Sequence, residues 1–158
     1  MSNPNLFFPK IDKMLLITKI IFIILFDSLS PKSHELLKVK EVISCNEFQA
    51  YDDSGNYLKF RLIGIKCLQS SLDQPDKDNL SNGITFLARA ITDKVVLIEY
   101  DKVIRDSDGS MLVYAYTLDG LQLNRELVRN NLVGITTKIP NIRYAHQYYD
   151  LRKNILSN

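Results

Sequence analysis

Residues 57–65 read YLKFRLIGI. Leu58, Phe60, Leu62 and Gly64 recur at every second position and share one face, the pattern of a half-buried β-strand. Just before it, Asp52-Asp53-Ser54-Gly55-Asn56 is turn chemistry, because Asp, Gly and Asn tolerate left-handed backbone. Further upstream, 48–51 is a short strand. Residues 36–43 (LLKVKEVI) form another, with Leu37, Val39 and one of Val42 or Ile43 turned inward. Together these make a three-stranded meander.

Downstream, 69–82 is polar, contains Pro75 and reads as an exposed loop. Residues 84–92 (ITFLARAIT) carry Ile84, Leu87, Ala88 and Ile91 on one helical stripe. Residues 95–100 (VVLIEY) and 111–117 (MLVYAYT) are the fourth and fifth strands, joined through a turn at 105–109. A short helix over 122–130 and a Tyr-rich helix over 141–154, after Pro140, complete the chain. Five short strands with a helix between the third and fourth imply a mainly β, α+β architecture, a five-stranded OB-type barrel with about three helices. Closing the barrel removes sheet edges.

The 158 residues are 46% hydrophobic and 24% charged, which excludes wholesale disorder. The formal charge is +2. It resides in residues 1–32, where Lys10, Lys13, Lys19 and Lys32 face only Asp12 and Asp27, while the body, 33–158, is neutral. A neutral body is not the basic footprint of a strong general nucleic-acid binder, although a local basic groove stays open. Two cysteines exclude a disulfide-dense scaffold and a four-Cys zinc site. His34 and His146 lack metal-ligand spacing with them.

Residues 14–26 (MLLITKIIFIILF) are an apolar run broken only by Thr18 and Lys19, too short for an ordinary spanning helix. With Lys10 and Lys13 ahead of it, the run suits a signal peptide. Pro31 directly after Ser28 and Ser30 weakens the cleavage signal, so an uncleaved signal-anchor holding the membrane through 14–26 is the alternative. A buried core helix is the third reading. The first two make the protein exported: periplasmic, secreted or membrane-anchored.

Four segments carry a resemblance. They are 42–48 (VISCNEF), 61–69 (RLIGIKCLQ), 106–114 (DSDGSMLVY) and 121–132 (LQLNRELVRNNL). Across about 36–154 the chain resembles the staphylococcal nuclease (thermonuclease-like) family. That resemblance implies a calcium-dependent nuclease hydrolysing DNA and RNA. In the family two aspartates hold the ion, a glutamate helps activate water and two arginines stabilise the pentacoordinate phosphate. Here the aspartate positions are Asn46 and Lys66, the glutamate position is Gln69 and the second arginine position is Ser110; only Arg61 is retained.

A hard dication requires anionic oxygen ligands. Asn46 offers a neutral carbonyl oxygen. Lys66 places a cation at the ion's position, a repulsion of several kcal/mol at ~4 Å and an effective dielectric of ~20. Gln69 cannot accept a proton from water. Ser110 lacks the guanidinium fork that spreads over phosphate oxygens. Such losses each cost ~10²–10³ in rate, though they act on one unit and do not multiply. The expectation is a lost calcium site, no cofactor and a pseudoenzyme.

Arg61 either pairs with a carboxylate, its stem covering core, or binds phosphate. Lys66 either joins it around an anion or is solvated. Glu47, next to Asn46, falls on the opposite strand face and outside the site. By the resemblance, Cys45 and Cys67 border the same pocket; in an exported protein they could form a disulfide across 22 residues, otherwise they are two thiols. Tyr144, Tyr148 and Tyr149, near Arg143, Arg152 and Lys153, either stack bases or pack the last helix. The expected function is therefore an inactive nuclease-like OB-fold module binding a protein, single-stranded nucleic acid or an anion. The alternatives are an active phosphodiesterase with an altered mechanism and a purely structural envelope protein.

Overall fold

The computed structural model describes residues 34–68 and 77–157. The leader, 1–32, with its export and membrane expectations, and Gln69 lie outside the described residues. Five strands close a barrel: β1 (His34–Ser44), β2 (Glu47–Tyr51), β3 (Tyr57–Leu62), β5 (Val95–Arg105) and β6 (Met111–Thr117). Their order around the barrel is β1-β2-β3-β6-β5, with β3 and β6 parallel and the other pairs antiparallel. A small antiparallel pair, β4 (Ile65–Cys67) and β7 (Val133–Ile135), stands beside it. Among the described residues three helices, α1 (Lys77–Ile91), α2 (Leu123–Arg129) and α3 (Ala145–Leu156), complete an OB-type barrel of the α+β class.

Alternation fills the interior. Leu37 and Val39 of β1, Phe48 and Ala50 of β2, Phe60 and Leu62 of β3 and Val96 and Ile98 of β5 are buried. Phe48 and Phe60 are register partners whose rings stack at 5.3 Å. Of the two open candidates on β1, Val42 is half-buried and Ile43 exposed. Leu87 and Ile91 of α1 and Leu123 and Leu127 of α2 cap the same core.

Several boundaries differ from the sequence pattern: β5 runs on to Arg105, α3 starts at Ala145 instead of 141, and two further differences shape the site. The run 57–65 is not one strand: it breaks at Ile63-Gly64 and resumes as β4. Gly64 has φ +82°, and a Cβ there would lie 2.8 Å from the Tyr148 ring. Only glycine combines that conformation with that approach. Helix α1 begins at Lys77, inside the stretch expected to be an exposed loop. Its early residues Ser81 and Asn82 are exposed, so no apolar stripe marks them. Gly83 then lets the helix pass over Cys45, where a Cβ would stand 3.0 Å from the Cys45 Cβ and 3.1 Å from the Leu132 carbonyl oxygen.

Candidate functional site

The break after β3 opens a groove of about 440 Å³. Its walls come from the β1–β2 turn, residues 61–66, the end of β5 with the following turn, Leu112, and the segment 136–141. Asn46, Arg61 and Lys66, three of the positions singled out by the resemblance, all line it. Ser110 does not; it is fully buried, away from the groove lining. Gln69 is not among the described residues.

Arg61 is held from three sides. Its Nε donates to Glu47 Oε1 at 2.7 Å, its Nη1 pairs with Asp106 Oδ2, and its Nη2 reaches Asp108 Oδ2 at 2.6 Å. The loop supplying the aspartates explains how. The Oδ1 of Asp106 accepts the Asp108 backbone N–H at 2.9 Å, and the Oδ1 of Asp108 accepts that of Ser110 at 3.0 Å. One oxygen of each carboxylate thus folds the turn and the other takes Arg61. Gly109, with φ +83°, supplies the reversal. Asp108 is held far below the ordinary carboxylate range, first by its hydrogen-bonded contact with Asp106, then by Lys59 Nζ at 2.9 Å and the Ser110 amide.

The placement of Glu47 corrects the alternation reading. Cys45-Asn46 is a two-residue turn, where strand alternation does not apply. Glu47 is the cross-strand register partner of Arg61, so both point to the same face.

The Asn46 side chain is also engaged: its Nδ2 donates to the Ile65 carbonyl at 3.2 Å and its Oδ1 accepts from Ser44 Oγ at 3.1 Å. Cys45 and Cys67 are joined by a disulfide with Cα atoms 5.6 Å apart, fastening this turn to β4. Lys66, between Ile65 and Cys67 on β4, is exposed, and its stem lies across Gly134 of β7. Among the described residues, Lys66 and Lys138 have no ion pair. Asn46 offers a neutral amide already bonded at both ends and Lys66 an ammonium group, so neither supplies the anionic oxygen a hard dication takes. Among the described residues no group of three or more His, Cys, Asp or Glu side chains is placed to hold a metal ion.

Two buried asparagines shape the walls. Asn124 donates from Nδ2 to the Ile63 carbonyl at 2.9 Å and accepts the Ala115 amide at 3.1 Å. Asn141 accepts the Val103 N–H at 2.8 Å and donates to the Val103 carbonyl at 2.6 Å, fastening 138–141 to β5. The sequence reading missed Glu47, Asp106 and Asp108 as partners of Arg61, and Arg105 and Lys138 as groove cations; the D-x-D-G turn was the available signal for the aspartates.

Away from the groove, Tyr144 and Tyr148 belong to a second polar cluster. Glu99 of β5, 7% exposed, pairs with Arg143 and accepts from Tyr116 Oη at 2.7 Å and Tyr144 Oη at 2.9 Å. Gln122 joins through Tyr116 at 2.9 Å and Tyr148 at 3.3 Å. Burial pushes the Glu99 carboxyl up, but the two phenols and Arg143 outweigh it and the net direction is down. Tyr148 is fully buried, whereas Tyr149 is 51% exposed and lies 3.3 Å from Thr137 Oγ1. His146 faces solvent, 2.8 Å from Asp150. Scanned against protein-family models and curated protein sequences, the chain matches none.

Proposed function

We propose that this chain is a catalytically inactive, nuclease-like OB-fold domain that acts as a binding module, exported or membrane-anchored through its leader. The observation that carries the reading is the state of Arg61: Nε, Nη1 and Nη2 are all engaged by carboxylates. A guanidinium so occupied has no free fork for a phosphate in the groove. Support also comes from Asn46 and Lys66, which present an amide and a cation where anionic oxygens would have to hold calcium. Gln69, by its chemistry alone, supplies no general base. Among the described residues, the one carboxylate lining the groove, Asp106, is paired with Arg61 rather than free to activate water.

The test is a calcium-dependent nuclease assay on DNA and RNA with the full chain and an Arg61→Ala control. The expected outcome is no turnover above background for either protein. Turnover in the parent that disappears in Arg61→Ala would overturn the reading in favour of an altered phosphodiesterase mechanism. Fractionation of cells into membrane, exported and cytosolic pools tests the localisation; a cytosolic protein with an intact leader sinks that part.

A further inference from the structure

The groove's lining favours one class of occupant. Its apolar part is aliphatic, with Ile63, Ile65, Leu112 and Pro140 in the walls, Val103 39% exposed and Ile139 85% exposed. Among the described residues, no Phe or Tyr lines it. Single-stranded nucleic acid is held by bases stacked on aromatic rings along a basic track, and the described walls offer no ring.

Its charge is equally particular. Arg61 pairs with Asp106 in the wall, and Glu47 and Asp108 share the same guanidinium. Lys66, Lys138 and Arg105 are exposed and, among the described residues, have no carboxylate partner. Arg105 donates from Nη1 to the Gly109 carbonyl at 3.2 Å, which leaves its charge uncompensated. Phosphate sites use guanidinium forks, helix N-termini or nests of backbone N–H groups. Here the Arg61 fork is occupied by carboxylates, the Arg105 fork is tied through Nη1 to the Gly109 carbonyl, and among the described residues no helix residue lines the groove. Ammonium groups on flexible stems beside aliphatic walls suit a singly charged head on a hydrocarbon body. The volume falls within the ~300–1,000 Å³ range of small-molecule sites.

We propose that the groove binds a linear aliphatic monocarboxylate, its chain lying against Ile63, Val103, Leu112 and Ile139 and its carboxylate met by Lys66 and Lys138. Gly134 is part of the device. The Lys66 stem crosses it with Cγ and Cε 3.3 Å from where a Cβ would be, so even an alanine there makes the lysine stem give by a few tenths of an ångström. The inference rests on the binding-module reading and names the ligand class of that site.

Calorimetric titration of the full chain with octanoate, octanol and oligothymidylate, below micelle-forming concentrations, tests it. Octanoate is expected to bind, and octanol about tenfold more weakly. The pair Lys66→Glu with Lys138→Glu is expected to weaken octanoate about tenfold, and Ile139→Asp comparably, while Lys153→Glu on α3 leaves it unchanged. These side chains are exposed, and circular dichroism of each variant verifies its fold. The proposal is overturned if octanoate fails to bind, if its binding ignores the groove substitutions, or if oligothymidylate binds and is lost in the same variants. The two levels separate cleanly. Absent octanoate binding with no nuclease turnover removes the ligand class and leaves the module. Calcium-dependent turnover removes the module whatever octanoate does.

Discussion

Two charged clusters in this molecule are near mirror images in composition and opposites in setting. At the groove, one arginine is surrounded by Glu47, Asp106 and Asp108. Under α3, one glutamate is surrounded by Arg143, Tyr116 and Tyr144. The first is partly solvated: the Arg61 and Asp108 side chains are 25% and 42% exposed. The second is closed around Glu99, whose side chain is 9% exposed and two of whose three partners are neutral phenols, while Arg143 is 42% exposed. A solvated cluster of full charges is screened and costs little to break, whereas a closed one leaves desolvated groups without partners. The groove cluster thus sets the chemistry of a surface, and the Glu99 cluster fastens a helix to the barrel.

The largest expected effect removes the disulfide on the groove side. Cys45→Ser with Cys67→Ser reopens a 22-residue separation and should cost ~3 kcal/mol by chain entropy, measured by urea unfolding. Amide exchange should then speed up first in β4 and β7, with the amides around Glu99 still protected. Equal acceleration at both places would mean that the two regions are one cooperative unit.

Glu99→Ala comes next, at about 2–3 kcal/mol, because the half-buried Tyr116 and Tyr144 hydroxyls lose an acceptor and Arg143, itself exposed, keeps only Asp101 among the described residues. Its pH dependence has a definite sign. The folded Glu99 carboxyl titrates below its ordinary value, so its stabilisation is present at neutral pH. That stabilisation is lost as pH falls below the unfolded value of about 4.3 and through the folded one. The stability gap between the parent and Glu99→Gln should therefore be widest near neutrality and close in acid; a gap independent of pH would show that the charge contributes nothing.

Gly64→Ala probes the place where the two regions touch, since Gly64 lines the groove and abuts Tyr148 of the Glu99 network. A non-glycine residue at φ +82° against a ring 2.8 Å away should cost about 2 kcal/mol in urea unfolding. Tyr148→Leu in the same background should recover part of that loss. Without recovery, the backbone conformation alone accounts for it.

The regularity of 57–62 made the barrel legible, because alternation follows directly from which face meets the core. The interruption at Ile63-Gly64 was not legible, because it answers to Tyr148, more than eighty residues away. The same holds for the site. Arg61 stood out as a strand arginine with two possible roles, but its partners come from a cross-strand neighbour and from a turn on the far side of α1. Alternation counted from Asn46 excluded Glu47, since nothing local showed that Asn46 occupies a tight turn. The turn at 105–109 was readable as a turn; that its second carboxylate oxygens face β3 follows only from the parallel β3–β6 pairing. The helix start at Lys77 was hidden because polar first turns look like loop.

Arg61→Ala is the smallest effect and the sharpest test of the contrast. Removing the guanidinium leaves Glu47, Asp106 and Asp108 facing one another with Lys59 alone among the partners of this cluster. Solvent and salt screen most of that repulsion, so the loss should be about 1 kcal/mol at low ionic strength. It should shrink as sodium chloride rises toward 1 M, where the screening length falls to ~3 Å. The loss from Glu99→Ala should shrink less across the same series, because two of the three partners of this buried carboxylate are neutral phenols and only the Arg143 part is open to screening. Urea unfolding of both variants across the salt series reads the difference directly. Parallel salt responses would place the two clusters in the same dielectric environment, and the groove arginine would then hold the fold together as firmly as Glu99 does.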